Sequence, residues 1–225
     1  MWGCHLRGDD DVQCGMPTEA GASDEAGEEG AACSAWDNSR CEGTVYCQAR
    51  CPRAYDDEGR PYIVRSLEDD DADALLEMYD AMDGEMTTLG LPPRTRERCE
   101  RWLDGLAENG LNFVADVDGQ IVGHVAAAPA DDRNPELVVF LHPDYRGRGI
   151  GTELLKQLVA HVDERGADSL RLTVASGNRR AIHVYDNLGF DVADRLRKEL
   201  AMTLDLDGEL ARRVKQPPAQ RSSTE

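Results

Sequence analysis

The segment Arg146-Gly147-Arg148-Gly149-Ile150-Gly151-Thr152 constrains the fold more than any other stretch of this chain. The apolar run Leu137-Val138-Val139-Phe140-Leu141 leads into it. Ile150, Leu154, Leu155, Leu158, Val159 and Val162 leave it at spacings near three and four. That pattern predicts strand, glycine turn and amphipathic helix. Such a layout suits a phosphorylated ligand. Glycines let the backbone approach closely, and free N–H groups at a helix start, carrying roughly half a positive charge, point at an anion.

The glycine spacing narrows the choice. No Gly-Lys-[Ser/Thr] follows, which excludes a Walker A loop, and the dinucleotide pattern Gly-x-Gly-x-x-Gly is not met either. Arg146, Gly149 and Gly151 do satisfy Arg-x-x-Gly-x-Gly. About 30 residues on, Asn178-Arg179-Arg180-Ala181-Ile182-His183-Val184-Tyr185-Asp186-Asn187-Leu188-Gly189-Phe190 reads Asn-x-x-Ala-x-x-x-Tyr-x-x-x-Gly-Phe. Leu170, Leu172 and Val174 alternate ahead of it as a strand does. Ala181, Ile182, Tyr185 and Leu188 form one stripe of a helix over about 178–188, which Gly189 is placed to end. The plainer alternatives are a glycine turn before an ordinary helix, a core tyrosine and an asparagine N-cap.

Taken in order, the two segments resemble the signatures of the GCN5-related N-acetyltransferases, the GNAT superfamily. The resemblance covers roughly residues 61–206. It implies an α/β fold, a central twisted mixed sheet with helices on both faces and a splayed pair of fourth and fifth strands. It also implies an N-acetyltransferase that uses acetyl-CoA as co-substrate, the amine attacking directly in a ternary complex. By the same resemblance, main-chain groups of Val139, Phe140 and Leu141 pair with the pantetheine arm. Arg146, Gly147, Arg148, Gly149, Ile150, Gly151 and Thr152 hold the pyrophosphate, Asn178 contacts the cofactor, and Tyr185 is the general acid.

The general base is not fixed by the sequence. Glu136 lies near the position where some members carry a glutamate on the fourth strand. Glu77, Asp80, Glu85, His124 and a water chain are alternatives. Some N-terminal acetyltransferases carry a glutamate on the fifth strand, where this chain has Thr173. That departure speaks against a ribosomal-protein substrate. His142 reads as a loop residue, and His161 and His183 fall on expected exposed helix faces. The acceptor amine stays open between a small molecule, a lysine side chain and a protein N-terminus. The competing readings are a non-catalytic acyl-CoA-binding or regulatory module, and an acyltransferase with another donor or acceptor. A homodimer is an open alternative to a monomer.

Net charge is −19, and only three of 25 basic residues are lysine. Asp outnumbers Glu, 26 to 18. This acidic, lysine-poor, aromatic-poor composition resembles that of halophilic proteins from salt-in organisms; a GC-rich genome would produce a similar bias. Such a surface repels nucleic acid and anionic lipid. There is no apolar run of 18 residues and no apolar stretch after Met1 of the kind a secretory signal carries. A cytoplasmic protein is expected.

Residues 1–60 read as an acidic, cysteine-containing and disordered extension, most plainly so in its polar, glycine-rich part. They hold six of the seven cysteines, Cys4, Cys14, Cys33, Cys41, Cys47 and Cys51. A zinc site is a minority alternative, because Cys47-x-x-x-Cys51 is the one close pair. No metal is therefore expected, and disulfides do not suit a reducing compartment. Residues 61–207 are the expected domain, in the order β-α-α-β-β-β-α-β-α-β-β, with an Asp118-Gly119 hairpin turn. Residues 208–225 read as a flexible tail.

Overall fold

Asp118 and Gly119 take φ angles of 53° and 85°, and the flanking strands pair Val117 with Gln120. That turn joins two strands of an eight-stranded sheet. The computed structural model describes residues 38–44, 49–82, 91–206 and 209–221. Its strands are β1 (Arg53–Tyr55), β2 (Pro61–Ser66), β3 (Leu111–Val117), β4 (Gln120–Ala128), β5 (Glu136–Leu141), β6 (Ser169–Ala175), β7 (Asp191–Arg195) and β8 (Glu199–Asp205). They lie in the order β1-β2-β3-β4-β5-β6-β8-β7. Every neighbouring pair is antiparallel except β5 and β6.

The helices are α1 (Ala72–Asp80), α2 (Arg96–Asn109), α3 (Ile150–Glu164), α4 (Arg179–Leu188) and α5 (Glu209–Val214). Two apolar layers form on opposite faces of the sheet. Leu154, Leu155 and Leu158 of α3 join Phe113, Ala115 and Val125 in the larger one. Leu75, Met78 and Tyr79 of α1 and Leu103 of α2 join Val114 and Ile121 in the other. Phe113 and Val114 are adjacent and face opposite layers, as strand alternation requires.

The expected boundary at residue 60 falls inside the sheet. β1 pairs with β2 along Arg53↔Ile63, Ala54↔Tyr62 and Tyr55↔Pro61. Arg50 is 2% exposed and donates to both carboxylate oxygens of Glu153, at 2.6 and 2.7 Å, and to the Val214 carbonyl at 2.5 Å. Gln157 donates to the Cys51 carbonyl at 2.6 Å. The tail is likewise structured in part. Val214 is fully buried, Lys215 pairs with Asp163 at 2.5 Å, and the Ala219 N–H donates to the Cys41 carbonyl. Much of what holds the two segments is ion pairs and backbone hydrogen bonds to α3, to β2 and to each other, which leave no apolar periodicity in the sequence. The glycine-rich part of the extension lies outside the described residues, as do Cys4, Cys14, Cys33, Cys47 and His5.

His161 corrects another expectation. It is 9% exposed, tilted against Phe113 with ring centroids 4.4 Å apart, and burial lowers its pKa. Among the described residues no helix is long and apolar enough to cross a membrane. Among the same residues no group of three His, Cys, Asp or Glu is placed to hold a metal ion.

Candidate active site

β5 and β6 are registered at one pair only, Glu136↔Arg171. Beyond it the two strands diverge. A cleft of about 420 Å³ opens between them, and Val138, Val139, Phe140 and Leu141 form one wall. The extra strand β1 makes this pair the fifth and sixth here, where the sequence reading counted fourth and fifth.

The glycine run closes one end. Gly147 and Gly149 have φ of 78° and 80°, which strains any residue with a Cβ. Gly149 is the N-cap of α3, so the first free N–H groups of a 15-residue helix lie beside the cleft. A Cβ on Gly151 would stand 3.0 Å from Leu141, and one on Gly147 would collide with the Arg180 guanidinium. Arg146 Nε donates to the Leu141 carbonyl at 3.3 Å, while its Nη2 is buried without a hydrogen-bond partner. A buried guanidinium nitrogen is costly until an acceptor meets it.

Arg146, Gly147, Gly149, Gly151, Thr152, Asn178 and Tyr185 all line the cleft, and so does Glu136. The Arg148 and Ile150 side chains do not. Arg148 turns outward to Glu58 at 2.9 Å and Asp56 at 3.5 Å and lies over the Tyr145 ring. Ile150 is fully buried in the core. The loop role of these two reduces to their main chain. The Asn178 side chain accepts from the Ala181 N–H at 3.1 Å and so caps α4 as well as lining the cleft. Tyr185 is 8% exposed, with its ring 5.6 Å from that of Phe190, and burial pushes its phenol up to about 12.

The alternative bases separate clearly. His124 is fully enclosed between the Tyr79 hydroxyl, 2.8 Å from Nδ1, and Asn112 Oδ1, 3.1 Å from Nε2. Burial drops its pKa to about 4, and it does not reach the cleft. Asp80 is paired with Arg96. Glu77 is exposed and outside the lining, and Glu85 lies outside the described residues. His142 caps a short turn at Pro143–Tyr145, as a loop residue does, and His183 is exposed.

Among the lining residues to which the sequence reading gave no site role are Asp57, Met82, Leu91 and Arg180. Arg180 is two residues beyond Asn178, on the first turn of the capped helix, a position from which its approach to the glycine loop could have been inferred. Asp57 comes from the β1–β2 turn, inside a segment read as disordered, and nothing in the sequence marks it.

The sequence profile of the acetyltransferase (GNAT) family matches residues 75–190, about half of the chain. The chain belongs to that family. An uncharacterized N-acetyltransferase of Methanocaldococcus jannaschii is 31% identical over 151 residues, 64% of this chain. The chain spans 66% of that relative, just under two thirds. The GNAT domain of PAT from S. lividans superposes with a TM-score of 0.59 at 20% identity, over 68% of this chain and 95% of that one. The acetyltransferase yncA of Salmonella typhimurium, described with its cofactor acetyl-CoA, gives 0.52 at 20% identity, over 66% and 95%. These likenesses establish the fold.

Proposed function

We propose that this chain moves an acetyl group from acetyl-CoA to a primary amine by direct attack in a ternary complex. The observation that carries the reading is the unpartnered Arg146 Nη2 beside two φ-positive glycines, at the end of a cleft walled by an unpaired strand edge. A diphosphate satisfies that nitrogen and the helix N–H groups together. The Salmonella structure described with acetyl-CoA supports the choice of ligand.

When bound, acetyl-CoA supplies a thioester carbonyl open to attack by an amine. The chain contributes the rest. The β5 edge offers its main-chain groups to the amides of the pantetheine arm, in the manner of an added strand. Arg146 and the amides from Gly147 to Thr152 anchor the diphosphate, which sets the depth at which the thioester stops. Tyr185 keeps its proton at neutral pH and donates it to the sulfur as the C–S bond breaks. A phenol raised to about 12 is a weak acid against an ordinary thiol. Desolvation in the same cleft would make the leaving thiolate more basic as well, which favours the transfer. Glu136 lies on the face of β5 that carries Phe140 and receives the proton the amine sheds.

The free thiols of Cys51 and Cys99 suit a reducing cytoplasm, where this reading places the reaction. Calorimetry with acetyl-CoA, followed by thiol release across a panel of amines, tests the proposal. Saturable binding and amine-dependent thiol release support it. A folded protein that does not bind acetyl-CoA overturns it, and binding without turnover favours the regulatory-module reading.

A further inference from the structure

We infer that the Thr173 hydroxyl holds the acceptor amine, accepting one of its N–H groups while the other points at Glu136. The inference rests on the acetyltransferase reading and assigns a residue to its acceptor side.

The register of the two diverging strands fixes where Thr173 stands. β5 and β6 run parallel and meet at Glu136↔Arg171. Two residues further along each strand, Val138 and Thr173 lie at the same level across the opening, and both line the cleft. Strand alternation assigns the faces. Leu170, Leu172 and Val174 of β6 are buried in the layer under α3, as is Leu137 of β5. Thr173 therefore belongs to the other face, with Glu136, Val138 and Phe140, and is half-buried there. Arg171 shares that face, exposed, at the end where the strands still touch.

Tyr185 reaches the same depth from the opposite face. β6 and β7 are each antiparallel to β8, so they run the same way and α4 is the return between them. Tyr185 lies two turns beyond Asn178, hence about 10 Å back along the cleft from the glycine-loop end. Its ring packs in the layer under α3. The proton donor for sulfur thus enters from one face of the sheet, and Thr173 and Glu136 flank the thioester from the other.

A primary amine attacks through its lone pair and carries two N–H groups. As the C–N bond forms, the nitrogen becomes cationic and its N–H groups become stronger donors. Glu136 takes one of those protons, the C–S bond breaks, and the sulfur takes the Tyr185 proton. The N–H that faces Thr173 stays on the product amide, and the Thr173 hydroxyl keeps its own proton throughout. Because this contact strengthens toward the transition state, its loss acts on kcat more than on KM.

Thr173→Val removes the hydroxyl and keeps a branched strand residue, whereas Thr173→Ser keeps the hydroxyl and removes the methyl. Thiol release from acetyl-CoA is followed with 2-phenylethylamine, spermidine and a lysine-containing peptide, each beside the form N-methylated at every primary amine. For the amine turned over fastest, Thr173→Val should lower kcat about tenfold, the order of one hydrogen bond lost in a desolvated site, and Thr173→Ser should restore most of it. The dissociation constant of acetyl-CoA should not change. A secondary amine has one N–H and gives it to Glu136, so the preference for the primary amine should shrink in Thr173→Val by about the same factor. Equal kcat in the native protein and Thr173→Val overturns the inference. So does Thr173→Ser as slow as Thr173→Val, which would make the methyl the active part. An unchanged primary-amine preference overturns it as well, as does acetyl-CoA affinity that falls in step with kcat. Acetyl-CoA binding without turnover of any amine overturns the transfer reading along with it and leaves the cofactor site intact; failure to bind acetyl-CoA overturns that site too.

Discussion

The Asp57 carboxylate stands 3.0 Å from the point a Cβ on Gly149 would occupy, so an acid from the β1–β2 turn overhangs the N-cap of α3. The Asp57 N–H donates to the Arg148 carbonyl at 3.0 Å, which ties the turn to the loop. A diphosphate held there meets a like charge. Removing one charge at this range is worth about 1 kcal/mol in well-solvated surroundings. Asp57→Asn is therefore expected to tighten CoA binding roughly fivefold in low-salt calorimetry. The gap should shrink at 1 M salt, where the Debye length is about 3 Å. An unchanged dissociation constant would mean that the turn swings aside before the cofactor seats.

The Arg50–Glu153 pair makes a second test. Arg50 is almost fully buried and also satisfies the Val214 carbonyl, so one side chain joins the N-terminal segment, α3 and α5. Removing one partner of a buried ion pair costs about 3–5 kcal/mol, while replacing both by apolar groups costs far less. Arg50→Met should lose that much in urea unfolding, and adding Glu153→Leu should recover most of it. A chain beginning at Pro61 should be destabilised further, because it lacks β1 and the Gln157–Cys51 bond as well. Equal stability of that shortened chain would restore the boundary that composition suggests.

Much of the fold was legible where apolar periodicity meets glycine. The Asp118-Gly119 turn, the β5–loop–α3 unit and the Asn178-to-Gly189 helix follow from local rules that tertiary packing does not override. The attachment of residues 50–60 was not legible, because a buried arginine and backbone bonds leave no periodic trace. His161 failed for a related reason. It falls on the polar side of α3 by spacing, but the helix is covered on more than one side. The cleft's backbone elements were visible in the two glycine segments. Its acidic and apolar additions, Asp57, Met82 and Leu91, depend on neighbours brought in from distant sequence.

His124 gives a pH dependence with a definite sign. Burial lowers its pKa from 6.5 in the open chain to about 4 in the fold. Between those values the unfolded chain holds a proton that the fold does not. Stability from this residue is complete above pH 6.5 and is lost as pH falls toward 4, by about 3 kcal/mol in all. His124→Gln retains a donor and an acceptor without titrating. Unfolding free energies of the two proteins should therefore converge by about that amount between pH 7 and pH 4. Parallel curves would show that the imidazole is not shielded from the proton.

The net charge of −19 predicts a salt response. Screening shortens from about 10 Å at 0.1 M salt to about 3 Å at 1 M, which removes repulsion among surface acids. If about 3 kcal/mol is relieved, a domain of this size should gain roughly 6–12 °C in melting temperature. Thermal melts in about 0.1 M and about 3 M KCl measure it. Equal midpoints would trace the composition to nucleotide bias rather than to life in salt.

Tyr185→Phe tests the chemistry itself. The ring is packed against Phe190 and buried among the apolar residues of α4, contacts that phenylalanine keeps, so folding should survive. The hydroxyl is proposed to act on sulfur only as the thiolate departs, an interaction stronger in the transition state than in the bound complex. Its loss should lower kcat by about 10²–10⁴ with little change in KM for acetyl-CoA. The contrast with Asp57→Asn is informative, because that change should alter cofactor affinity and leave the chemical step alone. Single-turnover measurement on a competent amine, under conditions where acetyl transfer limits the rate, reads the effect. A near-normal rate in the Phe variant would reduce Tyr185 to packing and assign the proton to water or to the ammonium formed when the amine attacks.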